Sequence, residues 1–183
     1  IVGEPTMMQL AIAEKGLVVF DGKVEGTASH AAHPNNDNPI SKLPNIIKWL
    51  ENFSFKKVSN TLGPVKLTVT QIKAGNQHNV VPACVNLVVD VRVNDCYSNK
   101  EIVAILQKDP PLTLTPRSLN LNSSSISIDH PLVKAGIELG RSTYGSPTLS
   151  DQAKLSCPSL KLGPGDSTRS HTANEFIFIK EID

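Results

Sequence analysis

The sequence predicts two architectures in one chain: a ferredoxin-like α+β module over residues 14–123, and flanking segments 1–13 and 124–183 of an incomplete α/β unit. Three observations carry this. Apolar residues switch between period 2 and period 3.6 in the order strand, helix, strand, strand, helix, strand, which is the split βαβ arrangement. Ser123, Ser124 and Ser125 mark a seam. Beyond it, short strand-like pieces alternate with helical ones, as in an α/β sheet.

Each element has its own warrant. Ile1 to Thr6 reads as the tail of a strand. Leu17 to Thr27 is strand-like and is expected to break at the Asp21-Gly22 turn signal. Asn38-Pro39 opens a helix, with proline at the first helical position, where its missing N–H costs nothing. Ile40, Leu43, Ile46, Ile47, Leu50 and Phe53 then recur at helical spacing, and Pro44 predicts a kink or a later start. Val65 to Lys73 alternates; so does Val85 to Val93, with valines and Leu87 on one face and Asn86, Asp90 and Arg92 on the other. Ser98 to Glu101 is a capping box before the apolar face of Ile102, Ile105 and Leu106. Leu112 to Leu121 alternates again. After the seam, Asp129-His130-Pro131 starts a helix that Tyr144 to Pro147 ends. Thr148-Leu149 and Ser159 to Leu162 read as strands, with Ser150-Asp151 and a helical stretch between them.

The composition excludes several classes of function. A hydrophobic content of 39% with only 4% aromatics puts the core on Val, Ile and Leu. Eighteen basic and 17 acidic residues leave a net charge of +1, and the basic residues are scattered, so neither nucleic acid nor an anionic membrane is an expected partner. No stretch approaches the roughly 20 apolar residues of a membrane span, and no secretory leader pattern is read at the start. Cys84, Cys96 and Cys157 are widely spaced and odd in number. They read as buried or half-buried thiols in a reducing, cytoplasmic compartment rather than as a disulfide framework. Both ends look cut, and the chain is expected to be a fragment of a longer protein.

The chemistry-bearing residues are few. His171 follows a strand-like run and a Gly163-Pro-Gly-Asp166 turn, which is how an α/β enzyme presents a ligand at the carboxyl end of a strand. It reads as a metal ligand, yet a catalytic zinc takes about three protein ligands. His30 and His33 form His-x-x-His in a strand-to-turn context, open to reading as half a metal site or as turn residues. The Asn79 amide can donate and accept, which suits a substrate carbonyl, or a turn. Arg92 could clasp a substrate carboxylate or pair with Asp90. Gly163 to Thr168 lacks the Gly-Lys-Ser/Thr ending of a phosphate loop, so Gly163 and Gly165 read as a substrate-lining turn that positions His171. Ser150-Asp151 reads as a pocket edge or a cap.

Several motifs fall in one order: Gly3-Glu-Pro-Thr6, Ala13-Glu-Lys-Gly16, Gly26 to Pro34 with His30, Asn38-Pro-Ile40, Asn79-Val-Val-Pro82, Asp90-Val-Arg92, Ser150-Asp151, Gly163-Pro-Gly-Asp166 and His171 to Glu175. The set resembles the di-zinc amidohydrolases that include acetylornithine deacetylase, succinyl-diaminopimelate desuccinylase and aminoacylase, most closely acetylornithine deacetylase. The resemblance implies a ferredoxin-like lid and dimerisation domain at 14–123, inserted in a zinc-peptidase-like catalytic domain whose first half precedes Ile1. It implies that His171 ligates one of two zinc (or cobalt) ions, and that the other ligands and a glutamate base lie upstream. It implies that His30 stabilises an oxyanion in the partner subunit of a homodimer, and that Asn79, Arg92, Gly163 and Gly165 contact a small N-acyl amino acid. His33 departs from an aromatic found in some relatives. The implied activity is deacylation in arginine biosynthesis, with the isolated chain inactive. The alternatives are an N-acetylcitrulline or N-succinyl amino acid deacylase, a dipeptidase, or a dimerisation module without activity.

Overall fold

A computed structural model describes residues 1–182. In chain order its elements are β1 (Leu10–Glu14), β2 (Gly16–Glu25), β3 (Ser29–His30), α1 (Pro39–Asn52), β4 (Lys66–Ala74), β5 (Val80–Val81), β6 (Cys84–Val93), α2 (Asn99–Leu106), β7 (Thr113–Pro116), β8 (Ser124–Ser125), α3 (Pro131–Glu138) and β9 (Thr143–Ser146), with short 3₁₀ turns at Asp151–Lys154, Ser167–Arg169 and Ile179–Glu181.

The larger sheet has the order β4-β6-β2-β7 and is antiparallel throughout. That is the expected ferredoxin-like order, with α1 and α2 on one face. Val18, Phe20 and Val24 of β2 and the five odd-numbered residues Val85 to Val93 of β6 point into a core completed by Ile46, Leu50, Ile102 and Leu106. The strand β2 runs unbroken through Asp21-Gly22. Both residues are paired on two sides, with Val88 and Leu87 of β6 and with Thr115 and Leu114 of β7, and those ladders override the local turn signal. The helix α1 also runs unbroken through Pro44. Only the carbonyl of Ile40, an exposed residue, loses its helical donor there. Asn38 caps α1 by accepting from the Ile40 N–H, and the Ser98–Glu101 capping box closes reciprocally, with Glu101 Oε2 2.7 Å from the Ser98 nitrogen. The strand β7 is shorter than the alternation of Leu112 to Leu121. Beyond Pro116 the Leu119 carbonyl accepts from the Asn99 side chain instead of joining a ladder.

The smaller sheet, β8-β1-β9, pairs β1 antiparallel with β8 and parallel with β9, over a core of Leu10, Ile126, Val133 and Leu160. Three stretches here depart from their sequence patterns. Thr143–Ser146 is a strand rather than the end of a helix, because parallel pairing with Leu10–Glu14 claims its backbone. Ser159 to Leu162 forms no full strand: Lys161 alone bridges, to Val2 on one side and Ala11 on the other. Thr148-Leu149 is not a strand either. Cys157 is exposed, while Cys84 and Cys96 are half-buried as expected. Among the described residues, no helix is long and apolar enough to cross a membrane.

Candidate functional site

The candidate residues gather mainly at two places, at opposite ends of β2. The first is a pocket of about 160 Å³ where four stretches meet: Glu4–Thr6, Tyr144–Leu149, Lys161, and Ser167–His171. The stitching is mostly backbone. The Gly163 carbonyl accepts from the Thr6 and Met8 nitrogens at 3.1 and 2.9 Å, and the Gly165 carbonyl from the Met7 nitrogen at 2.7 Å. A Cβ on Gly163 would lie 2.6 Å from the Glu4 carbonyl oxygen, and Gly165 has φ +85°, a conformation that side chains disfavour. These two glycines therefore bring the Gly3-Glu-Pro-Thr6 and Gly163-Pro-Gly-Asp166 motifs into direct contact.

Backbone strain gathers around the same pocket. Met7, Met8 and His171 are the non-glycine residues of the described chain with positive φ (53°, 58° and 61°), a costly arrangement that persists only where surrounding contacts enforce it. Asp166 holds the turn before His171 by accepting from the Thr168 N–H and hydroxyl, and these bonds keep its carboxyl below the usual carboxylate range. Arg169 clasps Glu181 with two parallel bonds of 2.7 and 2.9 Å, which, with the Phe178 N–H, bring the Glu181 pKa down to about 2. Burial pushes the Tyr144 phenol up.

His171 is exposed at this pocket, and Glu4 shares its lining. A carboxylate and an imidazole are donors of the kind that hold zinc or cobalt. Among the described residues no cluster of three or more His, Cys, Asp or Glu is assembled, so this chain offers two donors at the pocket and not a complete set. Glu4 was missed in the sequence although its motif was visible; the missing signal was proximity to His171, which only the glycine stitching provides.

Below the pocket lies a buried group that the sequence concealed. Lys161 Nζ is 3.0 Å from Glu14 Oε2, with side chains only 3% and 0% exposed. Lys161 also donates to Ser146 Oγ, the Thr148 carbonyl and Thr148 Oγ1, while Ser150 donates to Glu14 Oε2 at 2.7 Å. Ser150 thereby serves the pocket's scaffold. Asp151 is exposed and pairs with Lys154.

The second place is the tip of the larger module. There β3 pairs with β5, His30 opposite Val80, and the Asn79 carbonyl accepts from the Ala31 nitrogen at 2.9 Å. His30 and Asn79 are thus brought together. The His30 Nδ1 accepts from the Ala32 N–H at 3.1 Å, so in the neutral ring the proton sits on Nε2, a donor free to meet a ligand. His30 and His33 rings lie 5.6 Å apart, and both are exposed, as is His78. Arg92 is elsewhere: it lies opposite Leu17 at the other end of β2, and Asp90 holds its guanidinium at 2.8 and 3.1 Å. Ten residues of β2 at about 3.3 Å each separate the tip from Gly16 by about 30 Å.

Residues 12–110 match the family model of the M20 peptidase dimerisation domain. Over its whole length the chain is 27% identical to a succinyl-diaminopimelate desuccinylase from Erythrobacter litoralis, of which it spans 53%. Among solved structures, it is similar to a tripeptidase from Staphylococcus aureus (TM-score 0.73, 18% identity, covering 98% of this chain and 51% of that one). It is also similar to the YXEP protein of Bacillus subtilis, described as a dinuclear metal binding peptidase (TM-score 0.61, 12% identity, 98% and 51% covered). The chain spans about half the length of the curated relatives that it matches end to end.

Proposed function

The chain belongs to the M20 peptidase dimerisation domain family, and from that membership we propose that it is the lid and pocket-bearing part of a metal-dependent hydrolase that removes the acyl group from an N-acyl amino acid. The carrying observation is the split between the two sites. Glu4 and His171 share one pocket, while His30 and Asn79 stand about 30 Å from Gly16 along β2. A tip that far away serves a second copy's pocket better than its own, which fits a homodimer. The proposed division places residues 14–123 in the lid, and 1–13 with 124–183 in the catalytic unit.

Glu4 and His171 would hold a zinc or cobalt ion, completed by donors outside this chain; when bound, the ion supplies an activated water and a polarised carbonyl. His30 of one copy would donate its Nε2 proton in a hydrogen bond to the oxyanion that develops on the substrate carbonyl in the other. The Asn79 amide would orient the substrate beside it. Gly163 and Gly165 would shape the wall and keep Glu4 and His171 at a fixed separation. The Arg92 guanidinium is held by Asp90, so a substrate role for it requires that pair to open.

The desuccinylase relatives favour an N-succinyl amino acid, and the motif order favours N-acetylornithine and a place in arginine biosynthesis. Assaying the intact protein with zinc or cobalt against N-succinyl-diaminopimelate, N-acetylornithine and N-acetylcitrulline decides between them. The isolated chain is expected to turn over none of them and to sediment as a dimer at high concentration. Turnover of acyl substrate by the purified chain would sink the need for donors outside it, and a strict monomer would sink the two-copy reading. Inactivity of the intact protein on every acyl substrate would favour a module that only dimerises.

A further inference from the structure

We propose that the buried Glu14–Lys161 pair is a positioning element for the pocket: it fixes the 146–150 wall against the loop that carries Gly163, Gly165 and His171, and thereby sets the separation of Glu4 from His171.

The connectivity of the pair supports this. Glu14 ends β1, opposite Ser124 of β8 and Ser146 of β9. Lys161 bridges Ala11 of β1 and Val2, immediately before the Gly163 turn. One ammonium therefore joins three stretches through its bonds to Glu14, Ser146 and Thr148. Ser150 attaches the far end of the wall to the same carboxylate oxygen. Lys161 also lines the pocket, so the joint lies at its floor.

The energetics point the same way. A buried ion pair is seldom better for stability than apolar side chains of the same size, and the attested reason to retain one is that it specifies a particular arrangement. Glu14 Oε1 accepts no hydrogen bond among the described residues, a cost that a core built for stability alone would avoid. Such a joint suits a pocket whose strained turns, Met7-Met8 and His171, must be held from outside. Both side chains are buried and bound to each other and to the walls, so the pair acts through the walls.

The test is native-state amide exchange on the 183-residue chain, comparing wild type with E14Q/K161M, which removes both charges at nearly constant volume. Exchange at Met7 and Met8, whose nitrogens donate to Gly165 and Gly163, is expected to accelerate about tenfold or more, with Val89 and Val91 of β6 unchanged. Protection within about twofold of wild type at Met7 and Met8 in the folded double variant would overturn the proposal. Should that variant lose its fold, S146A decides. It removes one tether and keeps the pair, and about threefold faster exchange confined to the pocket amides supports the claim, while wild-type exchange refutes it. A Co²⁺ titration gives a second readout, which rests on the metal reading above: the double variant should bind about tenfold more weakly, and unchanged affinity refutes the link to the Glu4–His171 separation. No cobalt binding by the wild-type chain would count against the metal reading alone, because the exchange result does not depend on it.

Discussion

Replacing Gly163 with alanine should loosen the pocket while leaving the larger module intact. The added Cβ would lie 2.6 Å from the Glu4 carbonyl oxygen, roughly 0.8 Å inside a normal carbon–oxygen contact. The obstacle is backbone, so no side chain can rotate away. Overpacking of this kind costs about 1–3 kcal/mol. The Gly163 carbonyl also accepts from Thr6 N, Met8 N and Thr6 Oγ1. Weakening one or two of these bonds adds about 1 kcal/mol each, for a total of about 2–5 kcal/mol. Intrinsic fluorescence will not read the change, because Trp49, the single tryptophan, packs on the other core. Exchange at Met7 and Met8 will, by roughly 30- to 4,000-fold at 1.4 kcal/mol per decade. The internal control is G3A: nothing lies within 4 Å of a Cβ at Gly3, so exchange there should stay at the wild-type level. A G163A chain within threefold of wild type at these amides, or a G3A chain equally loosened, would refute the close-approach argument.

The Glu181 carboxyl titrates at about 2, below its ordinary 4.5, because Arg169 and the Phe178 N–H favour the charged form. A lowered folded pKa stabilises above the unfolded value and loses that contribution as pH falls from about 4.5 to 2; exchange at the Glu181 and Ile182 amides should rise across that window in wild type and stay flat in E181Q. Removing the α2 cap with S98A should cost about 1 kcal/mol in urea unfolding followed by Trp49 fluorescence, and a change below about 0.3 kcal/mol would mean the box is ornamental.

What was readable in the sequence tracks the range of the interactions that decide each element. The β6 alternation and the Ser98–Glu101 box are local, and both stand as read. Asp21-Gly22 misled because the deciding partners, Leu87, Val88, Leu114 and Thr115, are far along the chain. Tyr144 to Ser146 misled for the same reason, since its strand state comes from β1. At the site, His171 and His30 stood out through their motifs. Their neighbours did not. Glu4 reaches the His171 pocket through contacts at two glycines, and the Glu14–Lys161 joint unites a charge at the end of one apolar run with a charge inside another. No periodicity announces such pairs.

The strand β2 is, finally, a measuring rod. Its face alternates every two residues, and β6 matches it residue for residue from Gly16↔Val93 to Glu25↔Cys84. Deleting two facing residues from each strand would keep every remaining side chain on its own side and retract the tip by about 7 Å. Deleting one would turn the core-facing set outward. The reach of this arm therefore changes in paired steps of about 7 Å, and a single-residue step needs a bulge of the kind that β4 carries between Val69 and Gln71, so a tip that has to meet a fixed target tolerates few changes of length.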